Sequence, residues 1–231
     1  MLIFKALIEL FFMRQCVHCS TSLMPNECDL CLCCNANLSP ISFSGENDPE
    51  LAQLFYGRSK ISGATALFHF VKGGVSQSLI HQFKYYNSQK IGTRWGIKLA
   101  HHLKKANDFS DIDVVIPVPM TRQKKRKRGY NQSEKIAKSL AKELKVKYDT
   151  RTLKRKTQKR SQTHLNKYTR WQNSNEGFEL IQPLAENVKH VLLIDDVITT
   201  GATLESCANL LAANRSIKIS IASLAFAPLE G

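Results

Sequence analysis

Length, composition and charge place this chain among globular proteins of ordinary size. Its 231 residues suffice for one core and a small appendage, and 43% hydrophobic with 23% charged residues exclude a disordered chain. The 33 Lys and Arg against 19 Asp and Glu leave a formal charge of +14. This excess favours polyanionic partners such as phosphates or nucleic acid, with a solvated basic surface as the alternative.

The first 13 residues, MLIFKALIELFFM, are apolar but too short for a membrane span, which needs about 20 residues. Lys5 and Glu9 interrupt the segment, and it lacks the small-residue cleavage site of a signal peptide. The pattern predicts an amphipathic helix that packs on the domain, with peripheral membrane association as the alternative. Because no other apolar run approaches spanning length, we expect a cytoplasmic protein.

Six of the seven cysteines lie between residues 16 and 34. In a chain without a secretion signal, such clustering favours a metal site over disulfides. Two C-x-x-C pairs, Cys16 with Cys19 and Cys31 with Cys34, supply four thiolates, which is the ligand set of a closed structural zinc site. Cys28 with Cys31 is a competing pairing. A site closed by four thiolates has no open position for catalysis.

The chain divides into three predicted parts. Residues 1–40 form the N-terminal helix and the cysteine module, residues 41–60 form a polar linker with a short helical piece, and residues 61–231 form the main domain. In the main domain, apolar strands alternate with amphipathic helices, which predicts an α/β fold with a parallel sheet and helices on both faces. The predicted strands are 62–70, 113–120, 190–195 and 216–227, and the predicted helices are 75–83, 89–106, 131–144 and 201–214.

The stretch VLLIDDVITTGATL, residues 191 to 204, carries the clearest functional signal. Four apolar residues lead to Asp195 and Asp196, and a turn over 199–203 precedes the next helix. Ligands of open α/β sheets bind beyond the carboxyl ends of the strands. Backbone amides at a helix start, with threonine hydroxyls, suit a phosphate. Since two carboxylates would repel that phosphate, we expect a phosphorylated sugar, whose hydroxyls donate to the aspartates.

This stretch resembles the phosphoribosyl pyrophosphate (PRPP) motif of type I phosphoribosyltransferases. The resemblance implies that Asp195 and Asp196 bind the ribose 2′- and 3′-hydroxyls, and that a Mg²⁺ ion bridges pyrophosphate and ribose. It implies a 5′-phosphate site made by Thr199, Thr200, Gly201, Ala202 and Thr203. It also implies a pyrophosphate loop and hood made by Pro117, Val118, Pro119, Arg128 and Lys84.

Thr199 departs from the purine-salvage members of these transferases, which carry an aspartate at that position to handle the proton of the base. A threonine cannot be that general base at neutral pH, so purine salvage is not expected. An active transferase that acts on a non-purine base or an amine remains an alternative, and the acceptor stays open.

Further segments resemble the ComF/GntX family of competence proteins. The cysteine pairs resemble its zinc knuckle, and three motifs follow in its order: LIHQFKYYN with Lys84 and Tyr85, VIPVPM with RGYNQ, and a pattern through Gln162, Leu165, Arg170, Asn173 and Phe178. The resemblance implies a role in natural transformation, with PRPP, incoming single-stranded DNA and other DNA-uptake proteins as partners. A PRPP-dependent DNA-binding regulator unrelated to uptake is a further alternative.

The charge pattern agrees with nucleic-acid binding. RQKKRKR, residues 122 to 128, and KRKTQKR, residues 154 to 160, are basic runs that could neutralise phosphates. Aromatic residues near them could stack on unpaired bases. The alternative is a solvated hood whose cations meet only pyrophosphate. The nucleic-acid candidates are Lys124, Lys125, Arg126, Lys127, Arg128 and Tyr130. Tyr168 and Trp171 are further stacking candidates, and for Trp171 burial against the core is the favoured alternative.

Overall fold

The computed structural model describes residues 14–41, 49–86, 88–156, 177–213 and 216–228. A five-stranded parallel sheet forms its centre, in the spatial order β1-β7-β6-β2-β3. Its strands are β1 (Gly63–His69), β2 (Val114–Pro117), β3 (Lys147–Tyr148), β6 (His190–Ile198) and β7 (Lys218–Phe226). A separate antiparallel pair consists of β4 (Leu153–Arg155) and β5 (Phe178–Leu180).

Helices cover both faces of the sheet, as predicted. The described helices are α1 (Leu32–Ala36), α2 (Pro49–Gln53), α3 (Val75–Tyr85), α4 (Gln89–Leu103), a 3-10 turn (Asn107–Phe109), α5 (Arg122–Arg128), α6 (Gln132–Leu144) and α7 (Ala202–Ala212). Helices α3, α4 and α6 bury their apolar faces in one core, and α2 and α7 bury theirs in the other. The four central residues 191–194 of β6 are fully buried, as expected for a parallel sheet covered on both faces.

The cysteine module packs directly on the main domain. Cys16 and Cys34 belong to the same core as α3, α4 and α6. Asp29 is buried and accepts hydrogen bonds from the guanidinium of Arg94 and from the Trp95 indole nitrogen, the latter at 3.0 Å, so that α4 holds the module in place.

The described part of the predicted linker is not a free connector. Leu51 and Phe55 are almost completely buried in the second core, because α2 packs against β1. Leu51 and Phe55 therefore pack with the apolar residues of the main domain.

Strand β6 is longer than the sequence pattern predicts. The apolar run ends at Ile194, but pairing with β7 continues through Asp195, Val197 and Ile198. On the other side, pairing with β2 ends where Pro117 meets Ile194. The two aspartates therefore lie within the strand, on a part of it that has a neighbour on one side only.

Two predictions from the sequence fall outside the described residues: the N-terminal helix, and the segment 157–176 with Gln162, Leu165, Tyr168, Arg170, Trp171 and Asn173. Within the described ranges, none of the helices has the length and apolar character that a membrane span requires.

Candidate functional site

A cavity of about 200 Å³ opens where β2 ends and β6 continues. The acid pair forms one wall, and the loop after β2 and the start of α6 form the others. The cavity is lined by Lys84, Val118, Pro119, Met120, Thr121, Lys124, Arg128, Asn131, Ser133, Arg155, Asp195, Asp196 and Thr203. This edge of the sheet, beyond the carboxyl ends of the strands, is where open α/β folds bind their ligands.

Asp195 is held by two hydrogen bonds to the same carboxylate oxygen. The Ser133 hydroxyl donates to Oδ1 at 2.9 Å, and the Asp196 backbone amide donates to it at 2.9 Å. Burial, followed by the negative charge of Asp196, raises the pKa of Asp195 to about 7. The sequence did not reveal the role of Ser133, which lies 62 residues away along the chain.

The raised pKa of Asp195 predicts a pH-dependent stability. The folded protein holds a proton on Asp195 that the unfolded chain releases near pH 4, so this group's contribution falls as pH rises from about 4 through 7. We expect Asp195→Asn to gain stability over the native protein by a few kcal/mol as pH rises from 5 to 8, since each pKa unit corresponds to about 1.4 kcal/mol. Urea denaturation at each pH measures this; a constant difference between the two proteins would contradict it.

Asp196 forms a partly buried ion pair with Lys84. The Lys84 ammonium lies 3.1 Å from Asp196 Oδ2, and the two side chains are 22% and 13% exposed. Lys84 belongs to the last turn of α3, which brings this cation to the acid pair. The pair leaves the acidic wall partly neutralised.

The turn after β6 leads directly into α7 through a glycine. Gly201 has φ of 73° in the left-handed region and precedes the first residue of α7. The first amides of a helix have no intrahelical acceptor, so those of α7 can bind an anion. Thr203 lines the cavity, whereas Thr199, Thr200 and Ala202 are exposed beside it.

Arg58 supports this turn from behind, a contact that the sequence did not reveal. Its guanidinium donates to the Thr200 carbonyl at 3.4 Å and pairs with Glu205 of α7 at 2.5 Å. One side chain thus ties the turn to the helix that follows it.

We expect Gly201→Ala to destabilise the turn. A side chain is strained at this φ, and its Cβ would lie 2.8 Å from the Phe55 ring. We predict a loss of about 1–3 kcal/mol in the free energy of unfolding, measured by chemical denaturation. Gly177→Ala is the control, because a Cβ there meets nothing within 4 Å. Equal losses for the two variants would contradict the prediction.

Four cations line the same cavity as the two acids: Lys84, Lys124, Arg128 and Arg155. The Arg128 guanidinium donates to Gln132 Oε1 at 3.3 Å. Arg155 of β4 lies 4.7 Å above the centre of the Phe178 ring in β5, so the antiparallel pair positions it. The arrangement suits a ligand with hydroxyls at one end and several negative charges at the other. Arg155 was evident in the sequence only as part of a basic run.

Two of the three residues predicted for the pyrophosphate loop line the cavity. Val118 and Pro119 line the cavity, and the Val118 amide donates to the Ile194 carbonyl at 2.8 Å. Pro117 is buried inside β2 and does not line it. Asn131 fastens this loop to α6, since its side chain donates to the Val118 carbonyl at 3.0 Å and accepts from the Ser133 amide at 3.2 Å.

The basic run 122–128 forms helix α5, whose side chains are mostly exposed. Thr121 caps the start by accepting from the Lys124 amide at 3.3 Å, and Gly129 ends the helix in the left-handed region. Lys124 and Arg128 line the cavity. Lys125, Arg126 and Lys127 are exposed to solvent, and Lys125 pairs with Glu134 at 3.1 Å.

The structure corrects the prediction that Tyr130 stacks on bases. Its side chain is 4% exposed, its ring packs near Phe83, and its hydroxyl donates to the Phe83 carbonyl. The aromatic residue after the basic helix anchors that helix to α3 and is not available to a ligand.

The structure brings together the four predicted thiols of the cysteine module. The sulfur atoms of Cys16, Cys19, Cys31 and Cys34 all lie within 4.8 Å of one another, and those of Cys19 and Cys31 are 3.7 Å apart. A tetrahedron with zinc–sulfur bonds of about 2.3 Å has edges of about 3.8 Å. The four thiols could therefore bind a metal ion such as zinc. Cys28, the competing partner, is exposed and lies outside this cluster.

Comparison with known proteins identifies relatives of this site and of the whole chain. Residues 130–230, which include α6, the acid pair and the turn before α7, match the family model described as phosphoribosyl transferase domain. The Haemophilus influenzae protein named Competence protein F is 26% identical over 214 residues, which cover 87% of this chain and 92% of that protein.

The match to a second relative covers fewer residues. The Salmonella typhi protein named DNA utilization protein YhgH is 28% identical over 146 residues, which cover 62% of this chain and 63% of that protein. Among solved structures, a hypoxanthine phosphoribosyltransferase from Staphylococcus aureus is 16% identical with a TM-score of 0.36, over 60% of this chain and 65% of that one.

Proposed function

We propose that this chain, which belongs to the ComF family of competence and DNA utilization proteins and carries a phosphoribosyl transferase domain, binds PRPP and single-stranded DNA at one edge of its sheet. The observation that carries the proposal is the convergence of the acid pair, Thr203 in the first turn of α7 and four cations on one cavity. The relatives' names support a role in competence and DNA utilization.

The acid pair is suited to the ribose of PRPP. Asp195 and Asp196 both line the cavity, and their carboxylate oxygens can accept hydrogen bonds from two neighbouring hydroxyls. Ser133 keeps Asp195 in place, and Lys84 does the same for Asp196. The 5′-phosphate then falls on the turn 199–203, where amides and threonine hydroxyls are donors.

The cations that line the cavity are suited to the pyrophosphate of PRPP. Lys124, Arg128 and Arg155 present cations there, and Arg and Lys are the residues that bind phosphate oxygens most strongly. The carboxylates also offer hard oxygen ligands of the kind Mg²⁺ prefers. When bound with PRPP, Mg²⁺ would neutralise part of the pyrophosphate charge.

Binding of PRPP does not by itself imply transfer. Thr199 is exposed in the turn, at the position where a purine-salvage enzyme needs an acidic residue, so a purine acceptor is not part of the proposal. Pyrophosphate release from labelled PRPP, measured with a panel of non-purine bases and amines, separates the two possibilities. Turnover on a free base would make the protein an active phosphoribosyltransferase.

Helix α5 carries the proposed contacts to DNA phosphates. Lys125, Arg126 and Lys127 are exposed and do not line the PRPP cavity, so they can be changed without removing its walls. Replacing these three by Gln should weaken binding of single-stranded DNA about tenfold or more. It should also reduce the slope of log affinity against log salt by about 2, because each phosphate contact on a single strand contributes about 0.7.

Fluorescence anisotropy at several salt concentrations tests this prediction. The matched control replaces Lys104, Lys105 and Lys145 by Gln, which removes the same charge at the far ends of α4 and α6. Helix α6 has 13 residues, so this control lies about 20 Å from the cavity. If both variants lost the same affinity for single-stranded DNA, the effect would be due to overall charge. This result would contradict a DNA-binding site on α5.

A further inference from the structure

Two exposed tyrosines follow one another at the end of α3. Tyr85 and Tyr86 are 55% and 64% exposed. The ring of His81, one turn earlier, lies with its centre 4.7 Å from that of Tyr85 and 5.8 Å from that of Tyr86. These three residues form an aromatic cluster on the surface, which we call the aromatic platform. Large aromatic side chains are costly to leave in water, so a cluster of them indicates a binding surface.

The aromatic platform lies at the mouth of the PRPP cavity. Lys84, the residue before Tyr85, reaches into the cavity and pairs with Asp196. Arg128 lines the cavity, and its guanidinium lies 5.5 Å from the centre of the Tyr85 ring. Arg128 is the last residue of α5, so the cations of that helix lie next to the platform.

We propose that the aromatic platform stacks on unpaired bases of single-stranded DNA whose phosphates are bound by α5. This inference rests on the proposed function and identifies the surface that reads the strand. Bases are planar and bind aromatic rings without regard to sequence, and a neighbouring guanidinium strengthens the contact through its charge. In a duplex the bases are stacked on one another, so the platform selects single strands.

The charge around the platform decides between nucleic acid and other partners. An apolar protein segment would gain nothing from the row of cations in α5, whereas a strand presents alternating phosphates and bases that match cations and rings. The platform also supplies the stacking role that the buried Tyr130 cannot perform.

The test compares two ligands on the full-length protein. One is a single-stranded oligothymidylate; the other has the same phosphates but abasic sugars. We expect Tyr85→Ala with Tyr86→Ala to bind oligothymidylate about ten to a hundred times more weakly, as the loss of base stacking predicts. Both proteins should bind the abasic strand equally and weakly, because the phosphate contacts of α5 remain.

Two control variants isolate the role of the rings. Tyr85→Phe with Tyr86→Phe keeps the rings and should retain affinity for oligothymidylate. Tyr56→Ala removes a tyrosine that is 72% exposed and follows α2, which packs on the opposite face of the sheet, and should have no effect. The native protein should quench the fluorescence of a strand that contains 2-aminopurine, and the double alanine variant should not.

Failure of the platform can be told from failure of the proposed function. The proposed stacking is contradicted if the native protein binds both strands equally, or if the double alanine variant binds oligothymidylate as the native protein does. Either result still leaves α5 as a site that binds phosphates. If the native protein binds neither strand, the DNA part of the proposed function falls as well. Calorimetry with PRPP and Mg²⁺ on the same variants reports the cavity separately, and we expect it unchanged.

Discussion

Replacing both aspartates of β6 by alanine should abolish PRPP binding and leave the fold intact. Each carboxylate is proposed to accept hydrogen bonds from ribose, and hydrogen bonds to charged groups contribute about 1.5–3 kcal/mol each. Their joint loss corresponds to a decrease in affinity of at least about a hundredfold. Isothermal titration calorimetry with PRPP and Mg²⁺ measures this directly.

The fold should survive because the ionised form of Asp195 does not stabilise it. Burial and mutual repulsion raise the pKa of Asp195, which means that its ionised form is unfavourable in the folded protein. A matched control, Glu50→Ala with Glu143→Ala, removes two carboxylates from α2 and from the far end of α6. It should bind PRPP as the native protein does. Equal affinity of the aspartate variant and this control would contradict the assignment.

Loss of one buried cysteine should remove the metal and loosen the module. Cys16 and Cys34 are buried in the core shared with α3, α4 and α6, so Cys34→Ser should affect both metal content and packing. We expect about one zinc ion per chain in the native protein and none in the variant. The module has no large core of its own. In small zinc modules, metal binding contributes about 10–16 kcal/mol to the free energy of folding, so the melting temperature of the variant should fall markedly.

Elemental analysis and thermal denaturation, with and without a chelator, measure this effect. Cys28→Ser with Cys33→Ser is the control, because both thiols are exposed and lie outside the cluster of four. It should retain the metal and the native melting temperature. Loss of the metal in the control but not in Cys34→Ser would overturn the ligand set.

The parts of the fold that could be predicted are those indicated by patterns within short segments of the sequence. The apolar run 191–194 indicated a strand covered on both faces, and the two C-x-x-C pairs identified four thiols that the structure brings together. The alternation of strands and helices after residue 61 was sufficient for the parallel sheet, because such a sheet needs helical crossovers.

The parts that could not be predicted depend on contacts between distant segments. Ser133 reaches Asp195 only because α6 begins beside β6, and Arg155 enters the cavity only because β4 pairs with β5. Helix α5 has no apolar periodicity and its like charges repel, so its helical form depends on the caps at Thr121 and Gly129.

The burial of Tyr130 was missed for a related reason. Its position after a basic run is typical of a stacking residue, and only the packing of the chain shows that the Phe83 carbonyl accepts its hydroxyl proton. The extension of β6 through the acid pair likewise depends on its partner β7, whose pairing continues to Phe226.

A crystal structure of the protein with PRPP and Mg²⁺ is the most direct test of this account. It should show the ribose hydroxyls within hydrogen-bond distance of Asp195 and Asp196, the 5′-phosphate on the amides of the turn 199–203, and the pyrophosphate facing Arg128 and Arg155. PRPP bound elsewhere, or a Lys84–Asp196 pair that remains intact with no sugar beside Asp195 and Asp196 at saturating PRPP, would contradict it.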